Sequence, residues 1–383
     1  MKFDMSNPNS ECDVRTNLQQ KTFFSIRIYE VLFISAFFIF IYCIYHTGIV
    51  LWILSFSTIY MAYCNLVASN TENLPVDDKA VFITGCDSGF GFDLAMQLLA
   101  KEFIVFAGCL NTESAGAQEL RDTGCTHLHI MKLDVTDEDS IKQCANIVQE
   151  ICGNSGLWAL VNNAGIDRFG NVEFTTMDMY EKVMDVNYFG TVRMTKSFLP
   201  FIRKAKGRIL NVSSCGGRFA TPNRAAYCPS KFAVEAFSDI LRLETQCFGI
   251  RVCLIEPCHY GGATKILEAQ KNFLDASLDQ MWEIAPEDVR QAYGKNYLYY
   301  LRTFVDIGVQ SSHKSTRPIV EAMYHAILSP SPKFRYLIGG GKTFIDINTV
   351  FTYMAGVVPE AVMDFILRKY HLSGFPVQQR IEK

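Results

Sequence analysis

The stretch "AVFITGCDSGFG", Ala80 to Gly91, decides how the rest of the chain is read. It opens as an apolar, β-branched run and closes in a loop carrying Gly85, Gly89 and Gly91. The run predicts a buried parallel strand. The residues after it, "FDLAMQLLAKE", place apolar side chains at helical spacing. A glycine cluster between a strand and a helix turns backbone N–H groups toward an anion, which suits a phosphate. Gly85 permits the tight turn, Gly89 a close cofactor approach and Gly91 close helix packing. A tight turn with no ligand is the bland alternative, and the strand-to-helix context counts against it.

The alternation continues. "FIVFAGCL", "LHIMKLDV", "LWALVNNAG", "GRILNVSS" and "IRVCLIEP" read as five further strands. Helical stretches separate them, among them one over roughly Met177 to Arg203 and one starting near Ala225. Strands alternating with such helices mean a parallel sheet covered on both faces. The expectation is an α/β, Rossmann-type doubly wound parallel sheet forming a single catalytic domain.

"YCPSK", Tyr227 to Lys231, sets a phenol and an ammonium on one helix face. A cation beside a tyrosine favours the phenolate, and the pair can then exchange a proton with an alcohol or carbonyl. Pro229 is tolerable in the first helical turn. "NVSSCGG" ends a strand and offers Ser214 to a reacting oxygen, while Ser213 reads as a turn residue. "NNAG", Asn162 to Gly165, ends another strand, and Asn187 lies inside a helix that does not favour it.

Taken in chain order, "TGCDSGFG", "LDV" with Asp134, "NNAG", Asn187, Ser214 and "YCPSK" resemble the short-chain dehydrogenase/reductase family. The resemblance implies a tetrad of Asn187, Ser214, Tyr227 and Lys231. Tyr227 is the acid/base and Ser214 orients the substrate oxygen. Lys231 holds the nicotinamide ribose and depresses the tyrosine pKa, and Asn187 fixes a water linking Lys231 to solvent. Gly85, Asp87, Ser88, Gly89, Phe90 and Gly91 form the cofactor loop. Asp134 of "LDV" sits near the adenine, and Asn163, Ala164 and Gly165 line the cofactor cleft. Pro257 and Thr264 border the nicotinamide. The family usually has Pro-Gly after the sixth strand, where this chain has Pro257-Cys258, a side chain that crowds the nicotinamide. The chain looks closest to the subgroup of retinol, type 2 17β-hydroxysteroid and (R)-3-hydroxybutyrate dehydrogenases. Its middle resembles the hydroxybutyrate enzyme and its leader the steroid enzyme.

A 2′-phosphate wants a nearby Arg or Lys. The second strand ends in "GCLN" with no base, and Asp87 would repel a phosphate. NAD(H) is therefore expected over NADP(H), with the ribose hydroxyls held by backbone groups or Asn111.

A net charge of −3 over 383 residues gives no reason to expect nucleic acid. The 13 cysteines show no paired CxxC spacing, so no metal is expected and reduced thiols are. From Val31 to Thr71 there is no Lys, Arg, Asp or Glu. A membrane helix needs about 20 apolar residues, so this run suits one long span or two short ones. The expected organisation is a tail 1–30, N-terminal membrane helices in 31–68, a linker 69–79, the catalytic domain 80–338 and an extension 339–383 that lies on the same membrane. Two spans would return the catalytic domain to the cytosol. The expected location is the endoplasmic reticulum membrane, with a mitochondrial membrane as alternative, and a homo-oligomer is possible.

Substrate choice should lie between His259 and about Ile307, which is rich in aromatic residues such as Phe273, Trp282, Tyr293, Tyr297, Tyr299 and Tyr300. A stripe of that kind is more often helix core than pocket. A steroid or retinoid needs mostly apolar contact. A hydroxy acid needs a cation for its carboxylate, and Arg218, Arg224 and His259 are the candidates. A lipophilic secondary alcohol or ketone is favoured over the small hydroxy acid. A catalytically silent nucleotide-binding scaffold is the remaining reading.

Overall fold

The computed structural model describes residues 35–42, 45, 52–53, 55–60, 73–341 and 346–371. The chain divides into two compact units, Met1–Glu72 and Asn73–Lys383. In the first, residues 35–42 and 55–60 are helical, with exposed Phe38, Tyr42 and Phe56. Among the described residues, no helix is long and apolar enough to cross a membrane. The tail 1–30 and much of the expected anchor lie outside the described residues.

The second unit is built on seven parallel strands in the order β3-β2-β1-β4-β5-β6-β7. They are β1 (Ala80–Thr84), β2 (Ile104–Cys109), β3 (Leu128–Lys132), β4 (Ala159–Asn162), β5 (Arg208–Val212), β6 (Arg251–Pro257) and β7 (Arg335–Ile338). Helices α1 (Gly89–Leu99), α2 (Ala115–Asp122), α3 (Glu138–Cys152), α4 (Met177–Met184), α5 (Gly190–Ala205) and α6 (Tyr227–Thr245) connect the first six. Successive strand side chains point to opposite faces. Val81 and Ile83 accordingly join one core with Leu94 and Leu98 of α1, while Ala80 and Phe82 join another with Phe198 and Ile202 of α5. Phe82 meets Phe198 at a ring separation of 4.7 Å. Burying each such side chain is worth about 1.5–3 kcal/mol.

β7 is absent from the sequence expectation of six strands. It is four residues long and begins with Arg335, whose charge hides it. That arginine is consumed by Glu235, Asp239 and by Glu256 at 2.8 Å. Between β6 and α10 (Arg317–Leu328) come α7 (Ile266–Ile284), α8 (Glu287–Tyr293) and α9 (Asn296–Ser311). They share a core of Leu274, Met281, Leu301 and Val305 with Phe169 and Phe174. The aromatic stripe is spent there: Trp282 stacks on Phe174 at 6.3 Å and Tyr297 at 5.9 Å. Tyr299 and Tyr300 are exposed.

Helices α11 (Ile347–Met354) and α12 (Glu360–His371) bring Phe351 and Met363 onto Cys215 and Phe219, beside the end of β5. The sheet order reverses at β1 and β4, and ligands bind in that crevice, outside the carboxyl ends of the strands.

Candidate active site

A cleft of about 330 Å³ opens at those strand ends. At one end lies the glycine loop. Gly85 and Gly89 adopt φ of +73° and +66°, conformations that side chains resist. A Cβ on Gly89 would meet the Thr264 side chain at 3.2 Å, and one on Gly91 would meet the Gly85 carbonyl at 2.4 Å. Ser88, at the N-cap of α1, makes no side-chain capping bond, so the first amides of that helix are left to an anion. The turn, the close backbone approach and the helix mouth fit a dinucleotide pyrophosphate. The Asp87 carboxylate accepts from the amides of Leu110 and Asn111, both at 2.9 Å, and so sets a negative charge against the end of β2. Lys132 donates to the Leu110 carbonyl, a cation near β2 that the strand's own sequence does not reveal.

Asn163 ties the floor together. Its amide donates to the carbonyls of Thr84 at 2.9 Å and Gly85 at 3.1 Å, while its own N–H donates to the Thr84 hydroxyl. Ala164 and Gly165 continue the wall. Asn187 sits in a π-helical turn, Asp185–Phe189, between α4 and α5. The turn delivers its amide inward, fully buried. Its oxygen accepts from Ile166 N–H at 2.8 Å, and its nitrogen donates to the Ile166 carbonyl and the Ser230 hydroxyl, each at 2.9 Å. The side chain therefore holds the loop after β4.

At the other end, Ser214, Tyr227 and Lys231 converge. Tyr227 is the first residue of α6, with Pro229 inside its first turn, where the missing N–H costs nothing. The buried Lys231 ammonium donates to the Val212 carbonyl at 2.9 Å and lies 5.7 Å from the centre of the Tyr227 ring. Burial lowers its pKa to about 8, against the pull of Asp167 and Glu235. The Ser214 hydroxyl accepts from Gly216 N–H at 3.1 Å and donates to the Pro257 carbonyl at 3.5 Å.

Tyr227 is buried beside these groups. Burial pushes its phenol well above the ordinary tyrosine value, and the Asp167 charge adds to this. The Arg224 charge and a hydrogen bond with Ser214 work against both.

Arg224 stands over the Phe169 ring at 4.6 Å and the Tyr227 ring at 5.3 Å, and pairs with Asp167 at 3.4 Å. Burial pushes the Asp167 carboxyl up, and Arg224 opposes the shift. The other Asp167 oxygen has no hydrogen-bond partner among the described residues. Arg168 also lines the cleft, 4.4 Å over Phe273. His259 lines it too, bonded to the Ser311 hydroxyl at 2.9 Å, with burial lowering its pKa.

Other candidates lie elsewhere. Arg218 turns away to Glu256 at 3.3 Å. The Asp134 carboxylate accepts from the Thr136 hydroxyl at 2.7 Å, and neither it nor Asn111 lines the cleft. Asp167 and Arg168 escape a reading of the sequence, although an acid two residues past "NNAG", at a strand end, is a usable signal. Pro257 and Thr264 do line the cleft, and Cys258 beside them interacts with the Thr349 hydroxyl at 3.3 Å. A hydroxyl, a phenol and an ammonium at one end of a nucleotide-shaped cleft can hold an alcohol oxygen and exchange its proton.

A family model described as short chain dehydrogenase matches residues 79–272. Mitochondrial D-beta-hydroxybutyrate dehydrogenase of Bos taurus is 44% identical over 266 residues, 68% of this chain and 77% of that protein. Estradiol 17-beta-dehydrogenase 2 of Mus musculus is 34% identical over 320 residues, 83% of this chain and 81% of that protein. The fold is like that of a Burkholderia phymatum short chain dehydrogenase/reductase solved in complex with NAD, at TM-score 0.58 and 20% identity, over 78% of this chain and 96% of that one.

Proposed function

The chain belongs to the short-chain dehydrogenase family, and from that premise we propose that it is a membrane-anchored, NAD(H)-dependent dehydrogenase of a lipophilic secondary alcohol or its ketone, of hydroxysteroid or retinoid kind. NAD supplies the hydride acceptor when bound. The Gly85–Gly91 loop and the mouth of α1 would hold its pyrophosphate, Asp87 would disfavour a 2′-phosphate, and Asn111 and Asp134, outside the cleft itself, would serve the adenosine side. Lys231 holds the ribose and Thr264 the nicotinamide side. Ser214 holds the carbinol oxygen, and Tyr227 takes its proton in oxidation and returns it in reduction. Asn187 keeps the loop after β4 in place.

The observation that carries the substrate class is the Arg224–Asp167 pair at 3.4 Å. A guanidinium matched by a buried carboxylate and laid over two aromatic rings is a wall for a neutral body rather than a free carboxylate receptor. A second reading, (R)-3-hydroxybutyrate, is favoured by Arg168, which adds a second cation to the cleft. Purified enzyme with NAD, tested on estradiol-like steroids, retinol and (R)-3-hydroxybutyrate, separates the two. Turnover of hydroxybutyrate alone, lost on replacing Arg224, overturns the lipophilic reading.

The location in this reading is the endoplasmic reticulum membrane with the catalytic unit on the cytosolic side. The free thiols among the described cysteines support a reducing compartment. A mitochondrial membrane is the alternative, in keeping with the mitochondrial hydroxybutyrate relative. Exposed Val357 and Phe365 support contact of the C-terminal extension with the bilayer, and exposed Phe232, Ile240 and Leu243 on α6 support a homo-oligomer.

A further inference from the structure

Two thiols that the hydride reaction does not use flank the Ser214 hydroxyl. Cys215 follows Ser214 in the short turn Cys215–Gly217, and Cys258 follows Pro257 at the end of β6. β5 and β6 pair in parallel with Val212 opposite Ile255. The bond from Ser214 to the Pro257 carbonyl keeps the two chains together beyond the paired residues. Cys215 and Cys258 follow those paired segments, and both belong to one apolar cluster at the strand ends. The two side chains pack there with Phe219 and Phe351. Both thiols are free, and Cys258 lines the cleft, so a small reagent reaches the pair. Cys86 and Cys109 make a useful contrast, since both are fully buried and neither lines the cleft.

We propose that Cys215 and Cys258 form an oxidisable pair that hydrogen peroxide converts to a disulfide, arresting turnover. The Cys215 sulfur attacks one peroxide oxygen, the O–O bond breaks, water leaves and a sulfenic acid remains. The Cys258 sulfur then displaces that hydroxyl as a second water, and the S–S bond forms. Two thiols lose two electrons and two protons, and one peroxide becomes two waters. Cys215 attacks first because its hydrogen bond with Cys258 lowers its pKa, while the same bond and burial push Cys258 up. The new bond locks the segments that carry Ser214 and Pro257. It also takes the Cys258 thiol from Thr349 on α11, so the oxygen-holding hydroxyl and the rim of the cleft change together. In a reducing compartment the pair stays open until oxidant rises.

The test treats the full chain with hydrogen peroxide, blocks residual thiols and maps the peptides by mass. The expected result is a Cys215–Cys258 cross-link that accumulates as turnover falls about tenfold, both reversed by dithiothreitol. Cys215→Ala should form no cross-link, and the same dose should leave its turnover at the level of the untreated variant. Inactivation of the wild type without the cross-link, or a cross-link with turnover intact, overturns the proposal. If Cys215→Ala does not fold, the wild-type map and rate still decide. The mass map needs no knowledge of the physiological alcohol, so its failure is distinct from failure of the substrate assignment.

Discussion

The Arg224 guanidinium lies between the Asp167 carboxylate, 3.4 Å away, and the Tyr227 ring, whose centre is 5.3 Å away. One cation thus serves a buried acid and a phenol, and the acid raises the pKa of the phenol. Asp167→Asn should lower the pKa of Tyr227 and shift the pH profile of kcat/KM to lower pH. It should also release Arg224 as an unmatched cation, raising kcat/KM for a hydroxy acid relative to a neutral alcohol. Breaking a buried pair costs about 3–5 kcal/mol, so the urea midpoint should fall. An unchanged substrate ratio would show that Arg224 takes no part in selection.

Tyr227→Phe should remove turnover while sparing the cofactor. A positioned acid/base contributes about 10²–10⁴-fold, and the loss in kcat should fall in or above that range. NADH binding, followed by fluorescence, should change little. A variant with wild-type kcat would remove Tyr227 from the mechanism.

Lys231 predicts a pH dependence of stability. Its folded pKa is about 8 against an ordinary 10.5, because burial disfavours the ammonium. Between those values the unfolded chain holds the proton and the folded chain does not, so this residue makes stability rise with pH across that window. Below about 8 both states carry the proton, and the burial penalty is present in full. The difference in urea midpoint between wild type and Lys231→Met should therefore move in favour of the wild type as pH increases from about 8 to 10.5. A difference that stays flat over that range would mean the ammonium is not desolvated.

Asp87 predicts the cofactor. The enzyme should prefer NAD(H) to NADP(H) by about tenfold or more in kcat/KM. Asp87→Ala should narrow that preference, because the repelling charge is gone while Lys132 remains beside Leu110. It should also loosen the end of β2, which loses two amide bonds. A tenfold preference for NADP(H) in the wild type contradicts the assignment.

The central sheet was legible because its strands are buried on both faces and therefore written as unbroken apolar runs. Thr84, Gly85 and Asn163 could be read for the same reason: a strand end, a turn and an amide follow one another in a fixed order. β7 was not, since Arg335 is charged for partners on α6 and β6 that no local pattern shows. The direction in which Arg218 points, and the pairing of Asp167 with Arg224, depend on loops folding back from distant strands. The aromatic residues after β6 could be read as helical, but whether they face a cleft or one another is settled only by packing on Phe169 and Phe174. The expected anchor is the reverse case, an apolar run plain in the sequence that falls largely outside the described residues.

The seating of Phe351 and Met363 against Cys215 and Phe219 has a consequence for synthesis. The chain emerges from the ribosome N-terminus first, at about 5–20 residues per second. The Ser214 turn is made long before the helices that cover it. During that interval Cys215 and Phe219 face water or another chain, and α11 and α12 seal them when they arrive. A chain that ends early loses more than an appendage: it keeps every strand-end residue of the cleft while leaving an apolar face beside Ser214 open to aggregation.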